Sequence, residues 1–194
     1  MSNPHLIYRI PKLADIFVFT YPPIIIIIYF WGVISRKQKA ESWKLSRIYY
    51  KKSALFMVAS MWVSAAINIW IQFFVDKARP NITLGLIDNK TESILHNWLP
   101  TSSFPSDHAV ISMAIAVAAF VWWIKNKDKK YLWFALVLFV FSIIMSMSRI
   151  TAAIHRPTDI IVGSLIGFWV PWILGGKKIY SWLDKIFGWI GRIV

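Results

Sequence analysis

The sequence predicts an all-α fold, a polytopic membrane bundle of five spanning helices followed by an amphipathic helix lying in the interface. Three observations carry this reading. The 194 residues are 57% hydrophobic with a mean hydropathy of +0.54, more apolar than a soluble core of this size requires. The apolar residues are gathered into five runs, and the lysines and arginines collect between them. Twelve tryptophans and seven tyrosines suit the aromatic belts found where a bilayer meets water.

The runs are Ile16–Ile34, Ser53–Val75, Ser106–Ile124, Tyr131–Ser148 and Ile160–Leu174. A spanning helix needs about 20 residues, within a range of roughly 17–25. The first four runs meet that length, and the fifth reaches it by borrowing flanking residues from Asp159 and Gly175. A continuous helix satisfies its own backbone hydrogen bonds, so all five are read as helices. Pro22 and Pro23 interrupt the first run, which lacks a clear cleavage site after it and is kept as a mature helix. After Gly175-Gly176, apolar residues Ile179, Trp182, Leu183, Ile186, Phe187, Ile190 and Ile193 recur at helical spacing. Lys178, Ser181, Lys185 and Arg192 fall elsewhere on the wheel, which predicts an interfacial helix, with a sixth span as the alternative.

The chain is read as one integral-membrane domain, residues 1–194. It has no cysteine, which excludes disulfides and thiolate metal sites. A net charge of +13 fits either nucleic acid or an anionic membrane surface. Placement of the basic residues between apolar runs selects the membrane, and no nucleic-acid partner is expected. Most of the 22 lysines and arginines lie in Ser35–Lys52, Lys125–Lys130 and the tail, which five alternating spans put on one side. By the positive-inside rule that side is cytoplasmic, and the loops Asp76–Pro105 and Arg149–Thr158 face outward.

The chemistry-bearing residues gather at those outward ends. Arg79 follows the second run, Ser106 and His108 open the third, Arg149 ends the fourth, and His155 and Asp159 lead into the fifth. His155 and Asp159 are four apart, a spacing at which a helical turn lets a carboxylate hold one imidazole nitrogen and leave the other to attack. His108 can hold a proton for a leaving oxygen. Ser106 is placed to cap the third helix, whose N-terminal amides suit an anion. Arg79 and Arg149 are permanently charged forks that match phosphoryl oxygens. Singly, each has a plain reading: a His–Asp pair steadying a helix start, an ordinary N-cap, a snorkelling arginine. Together on one face they form a set for phosphoryl transfer. His5 and His96 have no partner at telling spacing and are read as loop or interfacial residues. Asn68 and Gln72, polar within an apolar run, are expected to face the bundle, and Gly163 and Gly167 to let two helices pack closely.

These segments resemble the three signatures of the type 2 phosphatidic acid phosphatase superfamily, over roughly residues 72–159. The third signature is complete in Ser148-Arg149, His155 and Asp159. The second reads Pro105-Ser106-Asp107-His108, where the family usually has glycine in place of Asp107. The first is Arg79-Pro80, with Gln72 where the family usually has lysine and Lys77 nearby as a substitute cation. The resemblance implies that His155 attacks phosphorus to form a phosphohistidine, that Asp159 orients it, and that His108 protonates the leaving group and then helps activate water. It implies phosphate binding by Arg79, Arg149 and Ser106, with Gln72 and Lys77 as further candidates. It implies no metal and no other cofactor, and the sequence offers no obvious metal cage.

The expected substrate is a phosphorylated membrane lipid. The Pro-Ser-Asp-His form resembles the branch acting on undecaprenyl diphosphate, with lipid A and phosphatidylglycerophosphate as alternatives. The expected location is a bacterial inner membrane with the site facing the periplasm or exterior. A small transporter fits less well, because the ionisable residues lie at one face and are sparse at mid-membrane, where a pathway needs them. An inactive scaffold is the remaining reading. Because the chain lacks cysteine, single-cysteine labelling tests the topology directly. Lys127→Cys is expected to be labelled only after the membrane is opened, and labelling from outside intact cells refutes the arrangement.

Overall fold

The computed structural model describes residues 21–31, 40–84 and 102–193. Among them the order is α1 Tyr21–Trp31, α2 Ala40–Phe74, α3 Pro80–Thr83, α4 Asp107–Asn126, α5 Lys129–Thr151, α6 Pro157–Leu174 and α7 Lys177–Ile193. No strand occurs among the described residues. Four helical stretches are long and apolar enough to cross a membrane: Leu45–Phe74, Asp107–Asn126, Lys129–Thr151 and Pro157–Leu174. The first expected span is represented by α1, and its remaining residues lie outside the described ones, as do His5 and His96.

Helix boundaries depart from the apolar runs where polar residues continue the helix. α2 begins at Ala40, so Arg47, Lys51 and Lys52 belong to it rather than to a loop. At 35 residues, roughly 52 Å, the helix is longer than a hydrocarbon core of about 30 Å, and its basic N-terminal part extends beyond the apolar run. α6 starts at Pro157, a residue pre-set for the first helical position, and thereby takes Asp159 into its first turn. α4 and α5 are separated by Lys127, which closes α4 in the left-handed conformation (φ 57°), and Asp128, whose carboxylate caps α5 by accepting from Lys130 N at 3.0 Å.

α4 is the central helix. About 61% of its apolar stretch is buried, against 33% for the other three candidates, because alanines at 109, 114, 116, 118 and 119 let neighbours close around it. α6 lies against it through Gly163 and Gly167. A Cβ on Gly163 would stand 2.8 Å from the Ser106 carbonyl oxygen, and one on Gly167 would strike the Val110 carbonyl and stand 2.9 Å from Ala114 N. α5 is tied to α4 by a hydroxyl pair, Ser112 to Ser142, at 2.8 Å. α2 turns Ser53, Ser60, Ser64, Asn68 and Gln72 inward on one face, while Trp62, Trp70, Phe73 and Phe74 stay exposed on another. That distribution suits a helix with lipid on one side and protein on the other.

The basic segments meet at one end of the bundle. Lys52 pairs with Asp184 of α7 at 2.8 Å, Lys51 donates to the Gly191 carbonyl near the end of α7 at 3.2 Å, and Lys125 lies 4.0 Å over the Tyr180 ring. Tyr180, Leu183, Ile186 and Phe187 of α7 face the aromatic core around Phe56, Trp122 and Tyr131, while Trp182 and Trp189 remain exposed. With 17 residues, about 25 Å, α7 is shorter than a hydrocarbon core. The α2–α3 connection, the start of α4 and the α5–α6 loop lie at the opposite end.

The α4–α6 seam yields a quantitative expectation. Gly167→Ala forces the Cβ onto backbone atoms that cannot swing aside, and should lower stability by about 1–3 kcal/mol. Gly191→Ala, which meets only Lys51 carbons at 3.7 Å, should be near neutral. Thermal unfolding in detergent compares the two, and equal midpoints would mean the seam is looser than its geometry.

Candidate active site

The site is assembled from backbone outward. Asn81 N donates to the Ala153 carbonyl at 2.7 Å, and the Arg156 guanidinium donates to the Ala78 carbonyl at 3.1 Å, which draws the α2–α3 connection onto the α5–α6 loop. That loop turns through Ala153 in the left-handed region (φ 53°). Ser103 N donates to the Lys77 carbonyl at 2.8 Å, and Ser106 N to the Asp159 carbonyl at 3.1 Å, which bring in the segment before α4. Three stretches far apart in sequence thus converge.

Asp159 is the most connected side chain of the group and has no exposed surface. Its Oδ1 accepts from Lys77 at 2.5 Å and from Thr158 at 3.3 Å, and its Oδ2 accepts from Ser103 Oγ at 2.6 Å and from Arg156 N at 2.8 Å. Lys77 also reaches Thr158 Oγ1 at 3.3 Å and lies 5.1 Å over the Phe104 ring. A carboxylate with these donors stays ionised despite its burial.

His155 is buried beside it, but the expected direct hydrogen bond is not formed. Asp159 Oδ2 stands 4.0 Å from His155 Nδ1, and Nδ1 lies instead 2.8 Å from the Ser103 carbonyl oxygen. The i, i+4 spacing does not stack the pair on a helix, because His155 precedes the Pro157 start of α6. A carbonyl only accepts, so Nδ1 carries the hydrogen and Nε2 the lone pair. Ser103 therefore joins the two, its hydroxyl bound to Asp159 and its carbonyl to His155. Sequence reasoning missed it, since a role played through a main-chain oxygen leaves no side-chain signature.

His155 lies within electrostatic range of Arg79, His108 and Arg149. Burial lowers its pKa first and the fields of Arg79, His108 and Arg149 lower it further, against the opposing bond from Ser103, to about 4. The Arg149 guanidinium, itself buried, contacts His108 Nε2. Ser106 takes the N-cap position of α4 with extended backbone (φ −75°, ψ 118°) but makes no side-chain cap bond. Among the described residues, neither its buried hydroxyl nor the buried Nε of Arg79 has a hydrogen-bond partner. A hydroxyl and a guanidinium N–H left so are donors for an anion. Gln72 is placed differently from the expectation of a phosphate ligand: its amide nitrogen donates to the Pro105 carbonyl at 3.0 Å and to Asp107 Oδ1 at 2.9 Å, which engages both hydrogens. Lys77, the other candidate cation, is engaged by Asp159. No group of three or more His, Cys, Asp or Glu side chains is arranged to hold a metal among the described residues.

The helices form a membrane-type bundle, and the family to which the chain belongs makes it a lipid phosphatase. The chain belongs to the PAP2 superfamily, whose family model matches residues 53–177. It is 22% identical over 205 residues to an Escherichia coli (strain K12) protein named "Putative undecaprenyl-diphosphatase YbjG", covering 97% of this chain and 90% of the relative. Its fold is similar to the crystal structure of a transmembrane PAP2 type phosphatidylglycerolphosphate phosphatase from Bacillus subtilis, with a TM-score of 0.57 and 19% identity over 94% of this chain and 77% of that one.

The depressed pKa of His155 sets a pH expectation. The unfolded chain binds the imidazole proton as pH falls through the ordinary 6.5, whereas the folded chain binds it only near about 4. The stability this group contributes is therefore complete above 6.5 and is lost as pH falls between those values. Histidine NMR in detergent, with His155→Ala for assignment, should place the midpoint near 4. A midpoint at 6.5 would remove the case for a neutral imidazole held by Ser103.

Proposed function

We propose that this chain removes the terminal phosphate from undecaprenyl diphosphate at the outer face of a bacterial inner membrane, through a phosphohistidine on His155. The observation that carries the reading is the tautomer of His155, with Nδ1 on the Ser103 carbonyl and the lone pair therefore on Nε2, in an imidazole within electrostatic range of Arg79, His108 and Arg149. An imidazole held neutral is a nucleophile at physiological pH, and the two arginines attract the phosphoryl group it attacks.

In the first step, His155 Nε2 bonds to phosphorus while the bond to the leaving oxygen breaks, and His108 donates a proton to that oxygen. Arg79, Arg149 and the Ser106 hydroxyl hold the nonbridging oxygens. A phosphoryl oxygen is a stronger acceptor for a guanidinium than a neutral imidazole is, so the arriving substrate takes the Arg149 N–H from His108, whose freed Nε2 takes up from solvent the proton it then donates. In the second step His108 accepts a proton from water, the water oxygen bonds to phosphorus, and the P–N bond breaks to free His155. Asp159 supports the nucleophile through Ser103 and neutralises Lys77. The name of the Escherichia coli relative favours a lipid diphosphate, and that of the Bacillus subtilis structure makes phosphatidylglycerophosphate the second candidate.

The outward orientation rests on the clustering of the basic segments at the end opposite the site, which the positive-inside rule makes cytoplasmic. Five spans, with α1 completing the first, carry the chain between the two faces. α7, exposing Trp182 and Trp189, lies in the cytoplasmic interface.

Phosphate release in detergent from undecaprenyl diphosphate, phosphatidylglycerophosphate and lipid A tests substrate and mechanism together. Undecaprenyl diphosphate should be turned over fastest, with vanadate inhibiting, a chelator leaving the rate intact, and His155→Ala retaining less than about 1% of it. Turnover by His155→Ala at the wild-type rate removes the covalent route, and loss on chelation with recovery on adding a divalent ion points to a different mechanism.

A further inference from the structure

The two positions at which the chain departs from the family signature touch each other. Gln72 stands where a lysine is usual and Asp107 where a glycine is usual, and the Gln72 amide nitrogen lies 2.9 Å from Asp107 Oδ1. Asn68, one turn earlier on α2, donates to the same oxygen at 2.6 Å. Gln72 also holds the Pro105 carbonyl at 3.0 Å, so α2 grips the loop on both sides of Ser106. Asn68 has no exposed surface and Gln72 is 5% exposed, deep enough that their amide N–H groups need acceptors, although Asn68 Oδ1 itself has no partner among the described residues. Asp107 opens α4, where a negative charge is favoured, and His108 follows directly.

We propose that Asn68, Gln72 and Asp107 are positioning residues that act as one clamp, holding Ser106 and His108 in register with Arg149 and His155, and that Gln72 and Asp107 function only as a matched pair. The proposal rests on the phosphatase reading above. A glycine at 107 would leave α2 only the Pro105 carbonyl to hold, and a lysine at 72 beside a glycine would put its charge against the loop. Asp107 supplies an acceptor, and a neutral amide at 72 can serve it and the carbonyl together, because it has two hydrogens in a fixed fork. The signature's cation–glycine pair is thereby exchanged for an amide–carboxylate pair. Phosphate binding is left to Arg79, Arg149 and Ser106.

Exchange of groups across the contact tests the pairing. Gln72→Glu sets two carboxylates against each other and should cut kcat by on the order of tenfold to a hundredfold at about pH 7.5, with a smaller change in KM. Lowering the pH toward about 5 should restore much of the loss, because one proton shared between the carboxyls rebuilds the hydrogen bond. His108, His155, Asp159, Lys77, Arg79 and Arg149 are common to both proteins, so the ratio of the variant's pH profile to the wild-type profile isolates the pair. Gln72→Glu combined with Asp107→Asn puts the donor on α4 and the acceptor on α2. It should recover activity at pH 7.5 relative to Gln72→Glu alone, incompletely because the Pro105 carbonyl loses its donor. The thermal midpoints of the same variants should follow the same order. A Gln72→Glu profile parallel to wild type, or a double variant no better than the single one, overturns the clamp. If wild type releases no phosphate from any lipid, the phosphatase reading has failed instead. The pH dependence of the midpoints then decides the clamp alone: recovery of the Gln72→Glu midpoint on acidification supports it, and no recovery refutes it.

Discussion

A carboxylate with no exposed surface at the rim of a membrane bundle must be surrounded by donors, and that requirement on Asp159 organises everything near the site. Its four donors come from the α2–α3 connection, the segment before α4, and the first turn of α6. Satisfying one buried charge therefore fixes three chain segments relative to one another. The nucleophile is a beneficiary at one remove: Ser103, pinned by Asp159, presents its carbonyl to His155 and selects the imidazole tautomer. The same carboxylate balances Lys77, which keeps the positive charge of the site concentrated on the arginines.

Much of this was legible in the sequence because bilayers impose a coarse, one-dimensional code. Run lengths gave the helices, and the alternation of spans delivered Arg79, His108, Arg149, His155 and Asp159 to one end. Gly163 and Gly167 were readable as a close-packing seam, and Asn68 and Gln72 as inward-facing, since a polar group in an apolar helix has few other places to go. The finer relations were not legible. The His155–Asp159 spacing assumes a helix that in fact begins after His155, at Pro157. Ser106 occupies the cap position through its backbone while withholding its hydroxyl. Ser103 acts through a carbonyl, and every residue has one of those. Gln72 and Asp107, read separately as departures, are in contact, which no spacing along the chain reveals.

The two ends of the bundle solve opposite electrostatic problems. At the basic end, lysines are dispersed onto a carboxylate, a helix-end carbonyl and an aromatic face, so that none confronts another unscreened. At the site end, cations are gathered around a single buried imidazole, an arrangement that becomes favourable once a phosphoryl group sits among them. The depressed basicity of His155 reflects that concentration as well as burial.

The seam between α4 and α6 has a consequence for motion. With Gly163 set against the Ser106 carbonyl and Gly167 against the Val110 carbonyl and Ala114 N, the glycines of α6 sit directly on the backbone of α4, beside the side chains of Ala109, Val110 and Met113. Ser106 N bound to the Asp159 carbonyl rivets the outer end of the same seam. A contact this close leaves α4 and α6 little freedom to slide, so Ser106, His108 and Asp159 are carried on what is in effect a single rigid piece, and any play the bundle has is left to the helices around it.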